Sequence, residues 1–308
     1  MTATTRVGHA STLGIDATRG DRALGIDMWY PTGALDGVAA SYELLPGISL
    51  PSTTSIESAP PAEAQHPLVV WSHGRTGLRQ NYSQLCEGLA ARGFVVVAPD
   101  HPGDTLIDWL TGRNVDDTTN EIQRLGDVSF AIDLVTSGEG MPVALDRAID
   151  QGRIYVAGHS YGGLTALISA TGAHGIAGDS RVRAIAGAQA YTRTLPADLP
   201  QQLTVPALLL VGIGDVTTPP STDADPIWST MSALDPRHQR VDLPHGGHQA
   251  CSDFSLYMEL VPSMPDIPQM VLDYLESIAA ESPEGFRDTW RDTLATQIEA
   301  LAAFFSRN

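Results

Sequence analysis

The stretch that most restricts how this chain can fold runs from Arg153 to Gly163, where the apolar run Ile-Tyr-Val-Ala leads directly into Gly-His-Ser-Tyr-Gly-Gly. The pattern is G-x-S-x-G with Ser160 at its centre, preceded by a run that reads as a buried strand. The helix-like Leu164, Thr165, Ala166, Leu167 and Ile168 follow it. A strand turning this sharply into a helix leaves the serine in a tight corner. Gly158 and Gly162 are small because a Cβ at either place would strike neighbouring backbone. Such a corner costs about 1–3 kcal/mol of strain. A chain that needed only a turn could use an unstrained type I turn, so the arrangement favours a side chain that must project at the top of a sheet. Ser160 is therefore a candidate nucleophile.

Around this corner, short apolar runs alternate with helical stretches. Pro67–Trp71, Phe94–Ala98, Ile154–Ala157, Val182–Ala188 and Ala207–Val211 read as strands, with Gln239–Leu243 as the last, and helices start near Gln80, Gly126 and Ser160. Alternation of this kind predicts an α/β fold: a mainly parallel central sheet with helices on both faces. The first thirty residues alternate in a strand-like way up to Trp29-Tyr30-Pro31, which predicts an antiparallel N-terminal hairpin. Residues 32–66, rich in Ser, Thr, Pro, Gly and Ala, read as a surface excursion. Asp266 and Pro268 suit the N-cap and first turn of a helix carrying Val271, Tyr274, Leu275 and Ile278. A last helix places Phe286, Trp290, Leu294, Ile298, Leu301 and Phe305 in one core-facing stripe. With 308 residues, 43% of them hydrophobic, a single domain over 1–308 is expected. Residues 251–283 are a candidate cap or lid.

Composition narrows the partners. Thirty-six acidic against 18 basic side chains give a net charge of −18, which repels a phosphate backbone or an anionic lipid surface, so nucleic acid is not an expected partner. Cys86 and Cys251, the two cysteines, have neither metal-ligand nor redox spacing and read as ordinary thiols. The opening Met-Thr-Ala-Thr-Thr-Arg lacks the apolar core of a secretory signal, and no run of about eighteen apolar residues spans a bilayer. A cytoplasmic location is expected, although a chain with a trimmed signal would read the same. Oligomeric state is not legible, because exposed patches and core stripes look alike in sequence.

A serine hydroxyl is a poor nucleophile at neutral pH and needs a base within hydrogen-bond reach, itself oriented by an acid. On parallel sheets with a serine elbow these follow in the order Ser, Asp or Glu, His. Ala207 to Asp215 is a buried strand running into a glycine loop that ends in a carboxylate, so Asp215 is the candidate acid. His245-Gly246-Gly247-His248 follows the last strand, and either histidine could be the base. His9, His66, His101, His174 and His238 lie outside that order and read as structural or solvated. Acyl transfer also builds negative charge on a carbonyl oxygen, where each backbone donor is worth about 3–4 kcal/mol. One donor is expected from the N–H of Tyr161 and the other from the loop Ser72-His73-Gly74-Arg75-Thr76, where Gly74 allows an inward turn and the N–H of Arg75 is the candidate. The Arg75 side chain itself is expected in solvent. Such chemistry requires no cofactor and no metal.

These residues together resemble the α/β-hydrolase superfamily. More narrowly, they are similar to the branch containing platelet-activating-factor acetylhydrolases, dienelactone-hydrolase-like proteins and bacterial cutinase-type polyester hydrolases. The resemblance covers most of residues 20–255. It is carried by Trp29-Tyr30-Pro31, Ser72-His73-Gly74, Asn81-Tyr82-Ser83-Gln84-Leu85-Cys86, Gly93 to His101 and the elbow at Gly158. His248-Gln249 followed by Asp253-Phe254 is similar to the histidine segment of the acetylhydrolases, which implies His248 as the base. Where those enzymes place their acid, this chain reads Gly187-Ala188-Gln189-Ala190-Tyr191 and offers no carboxylate. Val205-Pro206 through Asp215 and Pro219 instead resembles the cutinase-type arrangement, which supports Asp215. Dienelactone hydrolases proper use a cysteine where Ser160 stands, so their reaction is not implied. What the resemblance implies is a serine carboxylic-ester hydrolase. Its substrate would be a small-molecule ester of a short- to medium-chain or aromatic acid, with polyesters at the edge of that range. An acyltransferase with the same three residues, or a silent binding protein on the same fold, is the alternative. Residues 32–66 and 251–283, with Met258, Met264, Ile267 and Met270, are expected either to flank an acyl pocket or to fill core gaps.

Overall fold

Val, Leu, Ile and Trp in uninterrupted runs have no polar face to turn to water, so they pair as strands covered on both sides. The computed structural model describes residues 6–45, 48–264, 267–280 and 282–308. In chain order its elements are β1 (Arg6–Asp16), β2 (Arg22–Thr32), β3 (Ala39–Leu45), β4 (Ile48–Glu57), β5 (His66–Ser72), α1 (Ser83–Ala90), β6 (Val95–Pro99), α2 (Leu106–Leu110), α3 (Asp117–Ser137), β7 (Ile149–His159) and α4 (Tyr161–Thr171). They continue with β8 (Val182–Ala188), α5 (Leu199–Gln202), β9 (Ala207–Gly212), α6 (Ala224–Leu234), β10 (Gln239–Leu243), α7 (Phe254–Leu260), α8 (Gln269–Ala280) and α9 (Phe286–Phe305).

The described strands form one sheet in the order β10-β9-β8-β7-β5-β6-β2-β1-β4-β3. From β10 to β6 every neighbour is parallel; β2 then joins β6 antiparallel, and β1 joins β2 as the expected hairpin, paired from Arg6 with Thr32 to Asp16 with Arg22. Two apolar layers cover the faces. One gathers Trp71, Phe94 and Tyr155 under α1 and the stripe of α9, including Trp290, Leu301 and Phe305. The other packs Leu68, Val70 and Val156 against α3 and α4 through Val128, Ile132, Leu164 and Ile168. The sheet order reverses about β5: the chain steps outward to β6 and then returns to β7 on the other side of β5. That reversal opens a crevice at the carboxyl ends of β5 and β7, where parallel sheets bind ligands.

Two expectations are corrected. Residues 32–66 are not a surface excursion but carry β3 and β4, and β4 pairs with β1 from Val7 opposite Ser55 to His9 opposite Glu57. The reason is a polar cluster: the hydroxyls of Tyr42, Ser52, Thr54 and Ser55 all donate to the Glu87 carboxylate on α1. Ser and Thr suit a pleated strand as well as apolar residues do when a partner waits on that face. The helix expected near Gly126 begins at Asp117, capped by Asp116 accepting from the N–H of Thr119. Its first turns bury Asn120 and Arg124 instead of apolar side chains, which hides them from a hydrophobic period. Asp266 lies outside the described residues, and the helix it was expected to cap begins at Gln269.

Candidate active site

Ser160 closes β7 and opens α4 with φ 53° and ψ −116°, a left-handed conformation that costs a side-chain-bearing residue energy. The glycines around it have no room for more. A Cβ on Gly158 would lie 2.4 Å from the Gly162 carbonyl oxygen, and one on Gly162 would lie 2.0 Å from that of Ser72. The corner is locked from outside as well: the N–H of Ser160 donates to Ala188 O at 2.9 Å, and the N–H of Tyr191 donates to Ser160 O at 2.9 Å.

Loops from two further strand ends meet this serine. His248, following β10, places Nε2 3.1 Å from Ser160 Oγ and Nδ1 2.9 Å from Asp215 Oδ2. Asp215, following β9, is buried, and its other oxygen accepts from the N–H groups of Thr217 and Thr218 at 2.9 and 2.8 Å. The Thr218 hydroxyl lies 2.6 Å from Asp215 Oδ2 and 3.1 Å from His248 Nδ1. Burial pushes the Asp215 carboxyl up, but the hydrogen bond and charge of His248, with the Thr218 donors, outweigh it and hold the acid below its ordinary value. His245, the other histidine of the loop, is exposed. His9, His66, His101, His174 and His238 are each bonded elsewhere, to Glu57, Gly93 O, Asp127, Glu121 and the Ala207 N–H respectively.

The 72–76 loop lies over the serine, since a Cβ on Gly74 would come within 3.4 Å of Ser160 Cβ. Its N–H groups are nearly all committed. That of Gly74 donates to Tyr82 Oη at 3.1 Å, that of Thr76 to Asp104 Oδ1 at 3.3 Å, and that of Gly77 to Gly74 O at 3.1 Å. The N–H of Arg75 has no such partner among the described residues, and neither has that of Tyr161 in the first turn of α4, where helix N–H groups are free to bind a ligand oxygen. The Arg75 side chain is not simply in solvent: it pairs with Asp117 at 2.7 Å and lies 4.2 Å from the centre of the Tyr161 ring.

Residues 44–121, which hold β5 and this loop, match the family of platelet-activating factor acetylhydrolase, isoform II. The "Putative esterase YitV" of Bacillus subtilis (strain 168) is 33% identical over 107 residues, 33% of this chain and 38% of that protein. The chain thus spans little more than a third of the curated relative it matches. A solved ferulic acid esterase from Streptomyces cinnamoneus is similar across 100% of this chain and 91% of its own, with a TM-score of 0.72 and 25% identity. The chain has the α/β-hydrolase fold, and its similarities point to the esterase branch.

Ser160 and His248 open into a cavity of about 420 Å³. Leu78 and Leu106 line it, together with Phe254, Tyr257, Val271 and Leu275 from α7 and α8. Described residues of the 251–283 segment therefore flank the cavity as expected, whereas among the described residues of 32–66 none lines it. Leu50, from the latter segment, packs behind Tyr257, Val261 and Leu275. Met258, Met264 and Ile267 fill that same cluster from outside, and the side chain of Met270 lies outside the described residues. Cys86 and Cys251 are buried free thiols, pushed up by burial. Among the described residues no helix is long and apolar enough to cross a membrane.

Sequence reasoning passed over the supports of this α/β-hydrolase site. His159, inside the elbow motif, donates from Nε2 to the backbone carbonyl of His248 at 2.7 Å, which leaves Nδ1 to accept from the Tyr82 hydroxyl at 2.8 Å. Burial first, and the neighbouring His248 second, push His159 down to about 3, so it stays neutral and keeps that tautomer. Its position beside Ser160 was a usable signal. Thr218 and Arg124 gave none, because a threonine in a loop and an arginine in a helix have many commoner uses.

Proposed function

We propose that the protein is a serine carboxylic-ester hydrolase. The observation that carries the reading is the unbroken line from Asp215 Oδ2 through His248 to Ser160 Oγ, at 2.9 and 3.1 Å. Ser160 Oγ attacks the ester carbonyl carbon while His248 Nε2 takes its proton, and the carbonyl oxygen becomes an oxyanion. The N–H groups of Arg75 and Tyr161 receive it. Collapse breaks the bond to the alkoxy oxygen, which leaves as an alcohol with the proton from His248. Water then repeats the sequence against the acyl-enzyme and releases the carboxylic acid. Asp215 holds the His248 ring and balances the imidazolium formed in each half.

The cavity indicates the acyl group. Its walls are largely aliphatic and aromatic, with Asn81, Gln249 and Ser277 among the polar residues lining it, and about 420 Å³ suits a short- to medium-chain or a single-ring acyl group. Similarity to a ferulic acid esterase adds support for aromatic acids. A panel of p-nitrophenyl esters from acetate to longer acids, with a hydroxycinnamate ester and a soluble polyester fragment, tests both parts. Turnover of the short and aromatic members, with fluorophosphonate labelling of Ser160, is expected. A folded protein with neither turnover nor label would refute the reading. Ester exchange outpacing hydrolysis with an added alcohol would point to an acyltransferase.

A further inference from the structure

We infer that Arg124 is a positioning residue for the oxyanion: from beneath the 72–76 loop it fixes the peptide whose N–H is that of Arg75. This rests on the acyl-transfer reading above.

Arg124 lies on α3 and is fully buried, far from the rim where cations usually sit. Its Nη1 donates to His73 O at 2.8 Å and to Ser72 Oγ at 3.1 Å, and its Nη2 donates to Gly74 O at 3.3 Å and Asp104 Oδ2 at 2.8 Å. Nη1 also reaches Thr165 Oγ1 on α4 at 3.5 Å, Nε donates to Asn120 Oδ1 at 3.2 Å, and Asn120 in turn donates to Asp104 Oδ2 at 2.6 Å. One guanidinium therefore grips two successive carbonyls of the loop and the carboxylate that accepts from the N–H of Thr76.

In a trans peptide the C=O and N–H point to opposite sides. The Gly74 carbonyl is drawn to the buried side by Arg124, with His73 Nδ1 at 2.7 Å and the N–H of Gly77 at 3.1 Å on the same oxygen. The N–H across that peptide bond is that of Arg75, and it must face the other way. A fork of donors in fixed geometry can hold two carbonyls and a carboxylate at once, which a lysine ammonium cannot reproduce. A buried arginine with its charge matched by Asp104 is a costly device for stability alone, and here both terminal nitrogens reach the same loop, at Ser72, His73 and Gly74.

The test compares Arg124→Lys and Arg124→Met with wild type, using p-nitrophenyl acetate with kcat normalised to titrated active sites, and a trifluoromethyl ketone whose tetrahedral adduct needs the oxyanion donors. Expected is a fall in kcat per site of about 10- to 100-fold for Lys and more for Met, with KM within about 2-fold. The ketone's inhibition constant should rise by the factor by which kcat/KM falls. A loss explained wholly by fewer titratable sites, or an unchanged inhibition constant, overturns the inference. Should neither variant fold, the wild-type protein decides by the structure of its ketone adduct. An oxyanion within about 3.1 Å of Arg75 N, with Arg124 still on the His73 and Gly74 carbonyls, supports it. An oxyanion held elsewhere, or a turned 74–75 peptide, overturns it. Wild type without turnover or Ser160 labelling would instead bring down the hydrolase reading itself.

Discussion

Among the described residues two serine-histidine-aspartate sets are lined up by hydrogen bonds, and of these one faces a cavity. In the first, His248 stands 3.1 Å from Ser160 Oγ and 2.9 Å from Asp215. In the second, His101 stands 2.9 Å from Ser72 Oγ and 3.0 Å from Asp127. By distance the buried set is the equal of the other. Yet Ser72 ends a regular strand, its oxygen already accepts from Arg124, and all three side chains are sealed from solvent. Burial, followed by the Arg124 charge, pushes His101 down to about 4, and Asp127 is clamped by Arg22 and Arg19. The contrast separates a hydrogen-bond pattern from a reaction centre. A centre also needs access, a serine thrust out of line, and free N–H groups to receive the charge that the attack creates.

The widest separation between the two sets comes from deleting each hydroxyl. Ser160→Ala is expected to lower kcat/KM on p-nitrophenyl acetate by at least about 10⁴-fold with little change in stability. Ser72→Ala should cost about 1–2 kcal/mol in a urea melt while kcat per folded molecule stays within a few-fold. Retained hydrolysis in the first variant, or abolished hydrolysis in folded protein of the second, would reverse the assignment. The carboxylates follow. Asp215→Asn should reduce kcat about 10³- to 10⁴-fold at nearly unchanged stability. Asp127→Asn, which leaves two arginines and a histidine around a neutral amide, should cost about 3–5 kcal/mol and leave the rate per folded molecule largely intact.

Acid should distinguish the sets as well. His101 has a folded-state value near 4 against an ordinary 6.5, so between those values the unfolded chain takes up a proton that the folded one refuses. Stability contributed by the neutral ring is thus full above about pH 6.5 and is lost as pH falls towards 4, by about 3 kcal/mol at most. Urea melts between pH 7 and 4.5 should show a shallower loss in His101→Gln than in wild type. Identical slopes would mean that His101 does not carry that dependence.

How much of this was legible follows from which residues announce themselves locally. The elbow was, because strand, glycines, serine and helix are contiguous and each restricts the backbone of the next. The parallel strands were, because a doubly buried strand has to be apolar throughout. β3 and β4 were not: between their few buried apolar side chains stand hydroxyls whose partner, Glu87, sits on another element. The start of α3 was hidden the same way, by Arg124 buried against the 72–76 loop and Asn120 buried against Asp104. Asp215 and His248 stood in the right order, but choosing His248 over His245 needed a family resemblance. In the structure one imidazole, that of His248, is buried against Ser160 and the other is exposed, which supports the proposed role of His248. Polar residues that meet polar residues from distant segments leave no period to read.

The smallest effect bears on why Asp127 and Asp215 differ although both hold a histidine. Two guanidinium groups neutralise Asp127, whereas the other hydrogen bonds to Asp215 come from neutral donors: the Thr218 hydroxyl and the N–H groups of Thr217 and Thr218. Neutral donors orient a carboxylate without cancelling its charge, so in the proposed mechanism that charge remains for the imidazolium formed as Ser160 attacks. Thr218→Val keeps the shape and both backbone bonds and removes only the hydroxyl. The loss expected in kcat/KM is about 3- to 10-fold, on the order of 1 kcal/mol, with Asp215 titrating higher than in wild type because one of the donors holding it down is gone. A drop of several hundred-fold would mean that the hydroxyl, not the backbone pair, sets the carboxylate's orientation. No change at all would mean that the two N–H groups suffice, and that the 2.6 Å contact is incidental to the reaction.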